Sequence, residues 1–163
     1  MRYALLLLCL MTGCSAPADS QTIVERAVAD EVTVRDDDDP AMKAAFKKAR
    51  DSLDSAFQAV ELSSLSVKVG IEEDGNTEYF WLNDLSRTGD RYSGVINNEP
   101  RMVANVRFGQ TYEFARGQIV DWTYADARSG KMRGNFTACA LLSHEPPEQA
   151  AEFRKQYGLD CDA

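Results

Sequence analysis

The apolar residues of this chain change period once, near Leu62, and that change decides its fold class. Before it, Met42, Ala45, Phe46, Ala49, Leu53, Ala56, Phe57 and Val60 recur at steps of three and four. That spacing puts them on one stripe of an α-helix, with Lys43, Lys47, Lys48, Arg50, Asp51 and Asp54 mostly off it. The stripe must pack on something, so it reads as core and not as a cofactor box. The start of the helix is also written in the sequence. Asp39 is the expected N-cap, Pro40 takes the first helical position, and the acids at 36–39 oppose the helix dipole. That acidic run has neither the central Gly nor the spaced ligands ending in Glu that a calcium loop requires, so capping explains it and no metal site is expected.

After Leu62 the period becomes two. Leu65, Val67, Val69 and Ile71 alternate with Ser66, Lys68 and Gly70, the pattern of a half-buried strand. Asp74-Gly75 supplies a hairpin turn. Residues 77–83 are apolar on both faces, which predicts a central strand. Further strands are expected at 91–96, 111–115, 118–124 and 135–142, with a loop at 97–100. Short links favour an antiparallel meander over a parallel sheet. Pro146-Pro147 opens a short helix at 148–157, stopped by Gly158. The expected fold is α+β: a long N-terminal amphipathic helix on a curved antiparallel sheet or half-barrel of five to six strands, closed by a short C-terminal helix.

The N-terminus reads as an address. Arg2 precedes an apolar run from Ala4 to Met11, too short to span a bilayer as a stable helix. Met11-Thr12-Gly13-Cys14 then resembles the bacterial lipobox, with Met where Leu is usual. The resemblance implies removal of residues 1–13 and acyl chains, palmitate among them, on Cys14. Ser15 after the Cys implies the outer membrane, with the domain facing the periplasm. Residues 14–35 are then the lipidated N-terminus and a small, polar, flexible tether, followed by one globular domain at 36–163. Plain secretion with later cleavage is the alternative.

Composition fits export. The 163 residues are 44% apolar and 27% charged, enough for one domain with a real core. Lys plus Arg is 18 against 26 for Asp plus Glu, a net charge of −8, which disfavours nucleic acid as a partner. Loss of Arg2 with the leader leaves 17 against 26, or −9. Membrane attachment would therefore come from lipid and not from a basic patch. Cys139 and Cys161 are the cysteines left after Cys9 is removed and Cys14 lipidated, so a disulfide between them is expected in an oxidising compartment. The alternative is two separate buried thiols.

Several segments together resemble a known family. Asp38-Asp39-Pro40-Ala41-Met42 opens a helix carrying Ala49-Arg50 and Phe57. Glu78-Tyr79-Phe80-Trp81-Leu82 follows, then Tyr92-Ser93-Gly94-Val95-Ile96-Asn97-Asn98-Glu99-Pro100 and Phe108-Gly109-Gln110. Ile119-Val120-Asp121-Trp122 and Gly130-Lys131-Met132-Arg133-Gly134-Asn135-Phe136-Thr137 complete the set. In that order they resemble the YegJ-like bacterial family of unknown function, catalogued as domain 2314, over residues 34–142. Residues 143–163 form a C-terminal helix and tail beyond that core. The resemblance implies a domain boundary and a fold, and brings no activity or catalytic residue.

Chemistry is sparsely supplied. His144, the sole histidine, sits at a helix entry, and one His with two paired Cys cannot make a usual zinc site. No cofactor is expected. Glu99 and Asp121 could act as an acid–base pair, with Lys131 or Arg101 on a substrate anion, which gives a carboxylate-based hydrolase as the alternative function. Asn97, Asn98, Glu99 and Arg101 put amides, a carboxylate and a guanidinium into one loop, a set suited to a polar ligand or a peptide backbone. Trp81 and Trp122 add aromatic area or core. Strand parity sets Trp122 opposite Asp121 unless the strand is bulged. Lys131, Arg133 and Asn135 surround a turn framed by Gly130 and Gly134 that offers backbone N–H groups to an anion. The expected function is a non-catalytic envelope lipoprotein that binds a protein or polar envelope ligand. Its site candidates are Asn97, Asn98, Glu99, Arg101, Asp121, Trp122, Lys131 and Asn135. A purely structural tethered domain is the third possibility.

Overall fold

The structure, a computed structural model, describes residues 39–162. The leader, Cys14, the tether and Asp36 to Asp38 lie outside the described residues.

Helix α1 spans Pro40–Ala59. Its start is the one written in the sequence: the Asp39 carboxylate accepts from the amides of Ala41 at 2.7 Å and Met42 at 3.1 Å. His144 adds a third partner, its Nε2 lying 3.2 Å from the other Asp39 oxygen. The buried stripe is Met42, Ala45, Phe46, Ala49, Leu53 and Ala56. Six antiparallel strands follow: β1 (Ser66–Glu73), β2 (Asn76–Thr88), β3 (Arg91–Ile96), β4 (Thr111–Ala115), β5 (Ile119–Ala125) and β6 (Met132–Gly134). The β1–β2 turn is the Asp74-Gly75 pair, both at positive φ, between the paired residues Glu73 and Asn76. Two helices close the chain, α2 (Phe136–Leu142) and α3 (Pro147–Tyr157).

Strand order is β4-β3-β2-β1-β5-β6, so the apolar 77–83 segment is central as expected. This order forces curvature. β5 stands four strands from β4, yet only Arg116–Gln118 join them. At about 4.8 Å per strand a flat sheet would separate the two by about 19 Å. The four Cα steps from Ala115 to Ile119 reach about 14 Å at most. The sheet therefore curls, and β5 returns to pair with β1 as the meander's exception.

Curling encloses the main core. Val67, Val69, Ile71, Phe80, Leu82, Tyr92, Ile96, Phe114, Ile119 and Trp122 pack there with Ala49, Leu53 and Ala56 of α1. A smaller cluster joins Met42 and Phe46 to Leu141 of α2, with Tyr79 and Val120 against it. Burial of each Val, Leu, Ile, Phe or Met side chain among these contributes roughly 1.5–3 kcal/mol before entropy is counted.

One element departs from the sequence reading. Residues 135–142, expected as a strand, are instead the N-cap Asn135 and helix α2, and the last strand is the short β6 that ends before them at Gly134. Gly134 and Asn135 make the break. Gly134 has φ +83°, and a Cβ there would lie 2.0 Å from the Trp122 carbonyl oxygen. Asn135 is also left-handed, at φ 55°. Two left-handed residues in succession end a strand, and the run Phe136-Thr137-Ala138-Cys139-Ala140-Leu141-Leu142 then buries Thr137, Ala138, Leu141 and Leu142 as a helix. The Cys139–Cys161 disulfide is present, with Cα atoms 5.5 Å apart, and ties the C-terminal tail to α2.

Candidate functional site

The 14 residues between β3 and β4 form no regular element, yet they are firmly held. Glu78 does most of this. It shares the face of Ile71, is 1% exposed, and its carboxylate accepts the amides of Arg101, Met102 and Val103 at 2.9–3.1 Å. Glu73 accepts from the Ala104 amide, and Asn105 donates to the Glu72 carbonyl at 3.0 Å. The loop ends close on Ile96, whose N–H donates to Gln110 and whose carbonyl accepts from Gly109. Val103 and Val106 point into the main core. This is a compact loop with closed ends, packed by its own side chains, a form that often carries function.

What the loop shows to water is distinctive. Met102 is 47% exposed and Phe108 is 53% exposed, the two large apolar side chains left open among the described residues. Arg101, Arg107 and Glu99 are exposed on the same loop. Asn97 and Asn98 sit at its entry and are partly spent on structure. The Asn97 amide donates to the Trp81 carbonyl, and the Asn98 Oδ1 accepts from the Trp81 amide, both at 2.9 Å. They continue the ladder on β2 after β3 has ended.

The other candidates lie elsewhere. Asp121 is fully buried and accepts four hydrogen bonds, from the amides of Trp122, Phe136 and Thr137 and from the Thr137 hydroxyl, at 2.7–3.2 Å. Trp122 is core: its indole N–H donates to the Ala49 carbonyl at 3.0 Å, with Tyr124 stacked on it and Phe136 edge-on. Asn135, 8% exposed, donates to the Thr123 hydroxyl. Lys131 lies at the surface, 3.5 Å from Asp160, which also pairs with Arg133. The eight candidates thus divide into the β3–β4 loop (Asn97, Asn98, Glu99, Arg101), the interior (Asp121, Trp122, Asn135) and the β5–β6 turn (Lys131). A bulge does occur in β5, at Val120, but Asp121 still pairs with Lys68 and Trp122 with Val67, on opposite faces.

Sequence reasoning missed three polar residues. Lys68, expected on the solvated face of β1, is 1% exposed. Its ammonium donates to the Thr137 hydroxyl at 2.8 Å and lies 4.8 Å from the Trp81 ring centroid. Burial pushes Lys68 down to about 8, with the Asp121 charge opposing. Burial pushes Asp121 up, against Lys68 and its hydrogen bonds. Lys68, Thr137 and Asp121 form a continuous hydrogen-bonded chain that joins β1, β5 and α2. With both charged groups sealed from water, it serves as a clamp. Glu78 and Thr137 were equally hidden, because no spacing rule marks a buried carboxylate or hydroxyl. Met102 and Phe108 did carry a signal: large apolar residues in a segment flanked by Pro100 and Gly109 have no strand or helix to bury them.

No helix among the described residues is long and apolar enough to cross a membrane. No solved structure matches the chain. It is 36% identical to uncharacterized protein YegJ of Escherichia coli (strain K12), over 72% of this chain and 77% of that one. It is 31% identical to the putative ankyrin repeat protein NMB1133/NMB1171 of Neisseria meningitidis serogroup B (strain ATCC BAA-335 / MC58), over 58% of this chain and 38% of that one. The profile of DUF2314, described as an uncharacterized protein conserved in bacteria, matches residues 39–161, from the α1 cap to the disulfide-bonded tail. With that match running through every element of the fold, the chain belongs to the DUF2314 family.

Proposed function

We propose that this protein is a non-catalytic binding module of the bacterial cell envelope, tethered by lipid on Cys14 to the outer membrane, and that the β3–β4 loop is its contact surface for a partner protein. The observation that carries this is the exposure of Met102 and Phe108 on a loop already fixed by the buried Glu78 carboxylate. A pre-ordered loop binds without the entropy cost of ordering it. The lipobox-like leader and the Cys139–Cys161 pair support the compartment. A hydrolase built on Glu99 and Asp121 has less support. Glu99 is exposed on the loop, whereas both Asp121 oxygens are buried and held by protein donors.

The test is in-cell photocrosslinking with a reactive residue at 108, at 102, and at Lys155 on α3 as the control. We expect a discrete adduct from 108 and 102 and none from 155. Absence of any adduct from the loop positions would overturn the contact surface. Fractionation of Cys14→Ser tests the anchor separately: release into the soluble periplasm supports it, and unchanged membrane retention opposes it.

A further inference from the structure

Resting on the loop as contact surface, we infer that its partner supplies an extended segment that adds to the sheet as a strand beside β4. The sheet ends in two edge strands, β6 and β4, and the two edges differ. At β6 the chain's own tail closes the outer edge. The Met132 amide donates to the Gly158 carbonyl at 2.8 Å, and the Met132 carbonyl accepts from the Asp160 amide at 3.1 Å. The parallel bridge from Met132 to Leu159 and the Cys139–Cys161 disulfide keep the tail there. At β4 nothing does this. The Ile96 amide donates to the Gln110 carbonyl, and hydrogen-bonded pairs alternate along an antiparallel ladder, so Tyr112 and Phe114 spend their backbone groups on β3. The N–H and C=O groups of Thr111 and Glu113 therefore point outward, in the plane of the sheet. Both residues are exposed, and among the described residues nothing hydrogen-bonds to those groups. An open row of this kind is a template for another strand.

The open edge continues the contact loop. Phe108 stands three residues before Thr111, on the run that leads straight into β4. A strand laid along β4 and carried on toward Phe108 takes main-chain hydrogen bonds from the edge and apolar contact from the loop. Added strands gain affinity from the first and selectivity from side-chain contacts of the second kind. On the inner face of β4, Phe114 is fully buried and Tyr112 is half-buried against the core. The added segment therefore carries apolar residues at every second position, which extend that face. A second copy fits less well. Antiparallel pairing of two β4 strands through Thr111 and Glu113 centres on Tyr112. It sets Phe108 of each copy opposite Arg116 of the other, a side chain already bonded to Asp54.

The experiment is the in-cell photocrosslinking of the full chain, extended to reactive residues at 111 and 113. We expect the adduct seen from 108 to form from these two positions as well. In two further variants the reactive residue stays at 108 and Glu113 is changed. Glu113→Pro removes the outward N–H and leaves the bonds to β3 in place, since Pro is tolerated on the open side of an edge strand. It should cut the adduct roughly tenfold or more, whereas Glu113→Ala, which keeps the backbone, should leave it within about twofold. An unchanged thermal melt separates the loss from misfolding, and the adducts from 111 and 113 need no proline. Adduct from 108 with none from 111 or 113 would leave the loop as contact surface and overturn the added strand. So would an adduct indifferent to Glu113→Pro, an equal loss in Glu113→Ala, or an adduct of twice the chain's mass, which would seat a second copy on β4. No adduct from any position would overturn the contact surface and the added strand together.

Discussion

Lys68 and Asp121 are paired across β1 and β5, with the Thr137 hydroxyl between their charged groups at 2.8 and 2.7 Å. Thr137 accepts from the ammonium and donates to the carboxylate, so one side chain from α2 completes a contact between two strands. The Asp121 carboxylate also takes the first amides of α2. The position of this helix on the sheet is thereby set by a polar contact inside an otherwise apolar packing.

Removing one partner leaves the other charge buried and alone. Lys68→Met and Asp121→Ala should each lower the unfolding free energy by about 3–5 kcal/mol. Equilibrium urea unfolding checks this. A loss below about 1 kcal/mol in both would show that the pair is not held as a buried charge contact.

The same clamp makes a pH prediction. Burial holds the folded Lys68 at about 8, below its ordinary value of 10.5. Between those values the unfolded chain binds more protons than the folded one, so the Lys68 contribution to stability rises with pH across that window. Relative to Lys68→Met, the wild type should gain about 1 kcal/mol per pH unit from pH 8 to 10.5. Parallel stability curves for the two proteins would contradict it.

Glu78 holds three successive loop amides. Glu78→Gln keeps one acceptor oxygen and loses the charge, at a cost of about 1–3 kcal/mol. Hydrogen exchange locates the effect. The amides of Arg101, Met102 and Val103 should exchange at least tenfold faster while the centre of β1 stays protected. Uniform acceleration across the sheet would mean that Glu78 supports the whole fold and not the loop.

The disulfide closes a separation of 22 residues. Cys139→Ser with Cys161→Ser should cost about 2–5 kcal/mol. Limited proteolysis should then cut first after α3, where the tail has lost its attachment. First cleavage in the β3–β4 loop would show instead that the loop is the weakest segment.

Much of the architecture was legible because it rests on local rules. The stripe of α1 follows from its 3.6 period, its start from the Asp39 side chain and the fixed φ of Pro40, and the β1–β2 turn from a dipeptide that accepts positive φ. The α2 region was misread because Asn135 to Leu142 has no polar alternation to mark a helix, and its apolar run suits either state. The deciding features are a backbone contact, Gly134 against the Trp122 carbonyl, and the amides capped by Asp121. The first joins residues 12 positions apart in sequence and the second residues 15 and 16 apart.

The candidate site divides in the same way. That the loop after Ile96 carries polar and charged groups is written in the residues themselves. That Asp121 and Trp122 belong to the interior depends on a bulge at Val120 and on which strand lies beside β5, and neither has a local signature. Lys68 shows the limit most clearly. Alternation alone put it in water, because period two distinguishes the two faces of a strand but cannot say that both will be covered. By itself the sequence determined most of the elements, which depend on neighbours in the chain, and the acidic charge, which is a matter of composition; the disulfide partners followed from which cysteines an exported chain would keep. Only the tertiary structure decided which charges are buried. Burial depends on what curls around the sheet, and a charge survives there only where folding supplies a hydrogen-bonding partner.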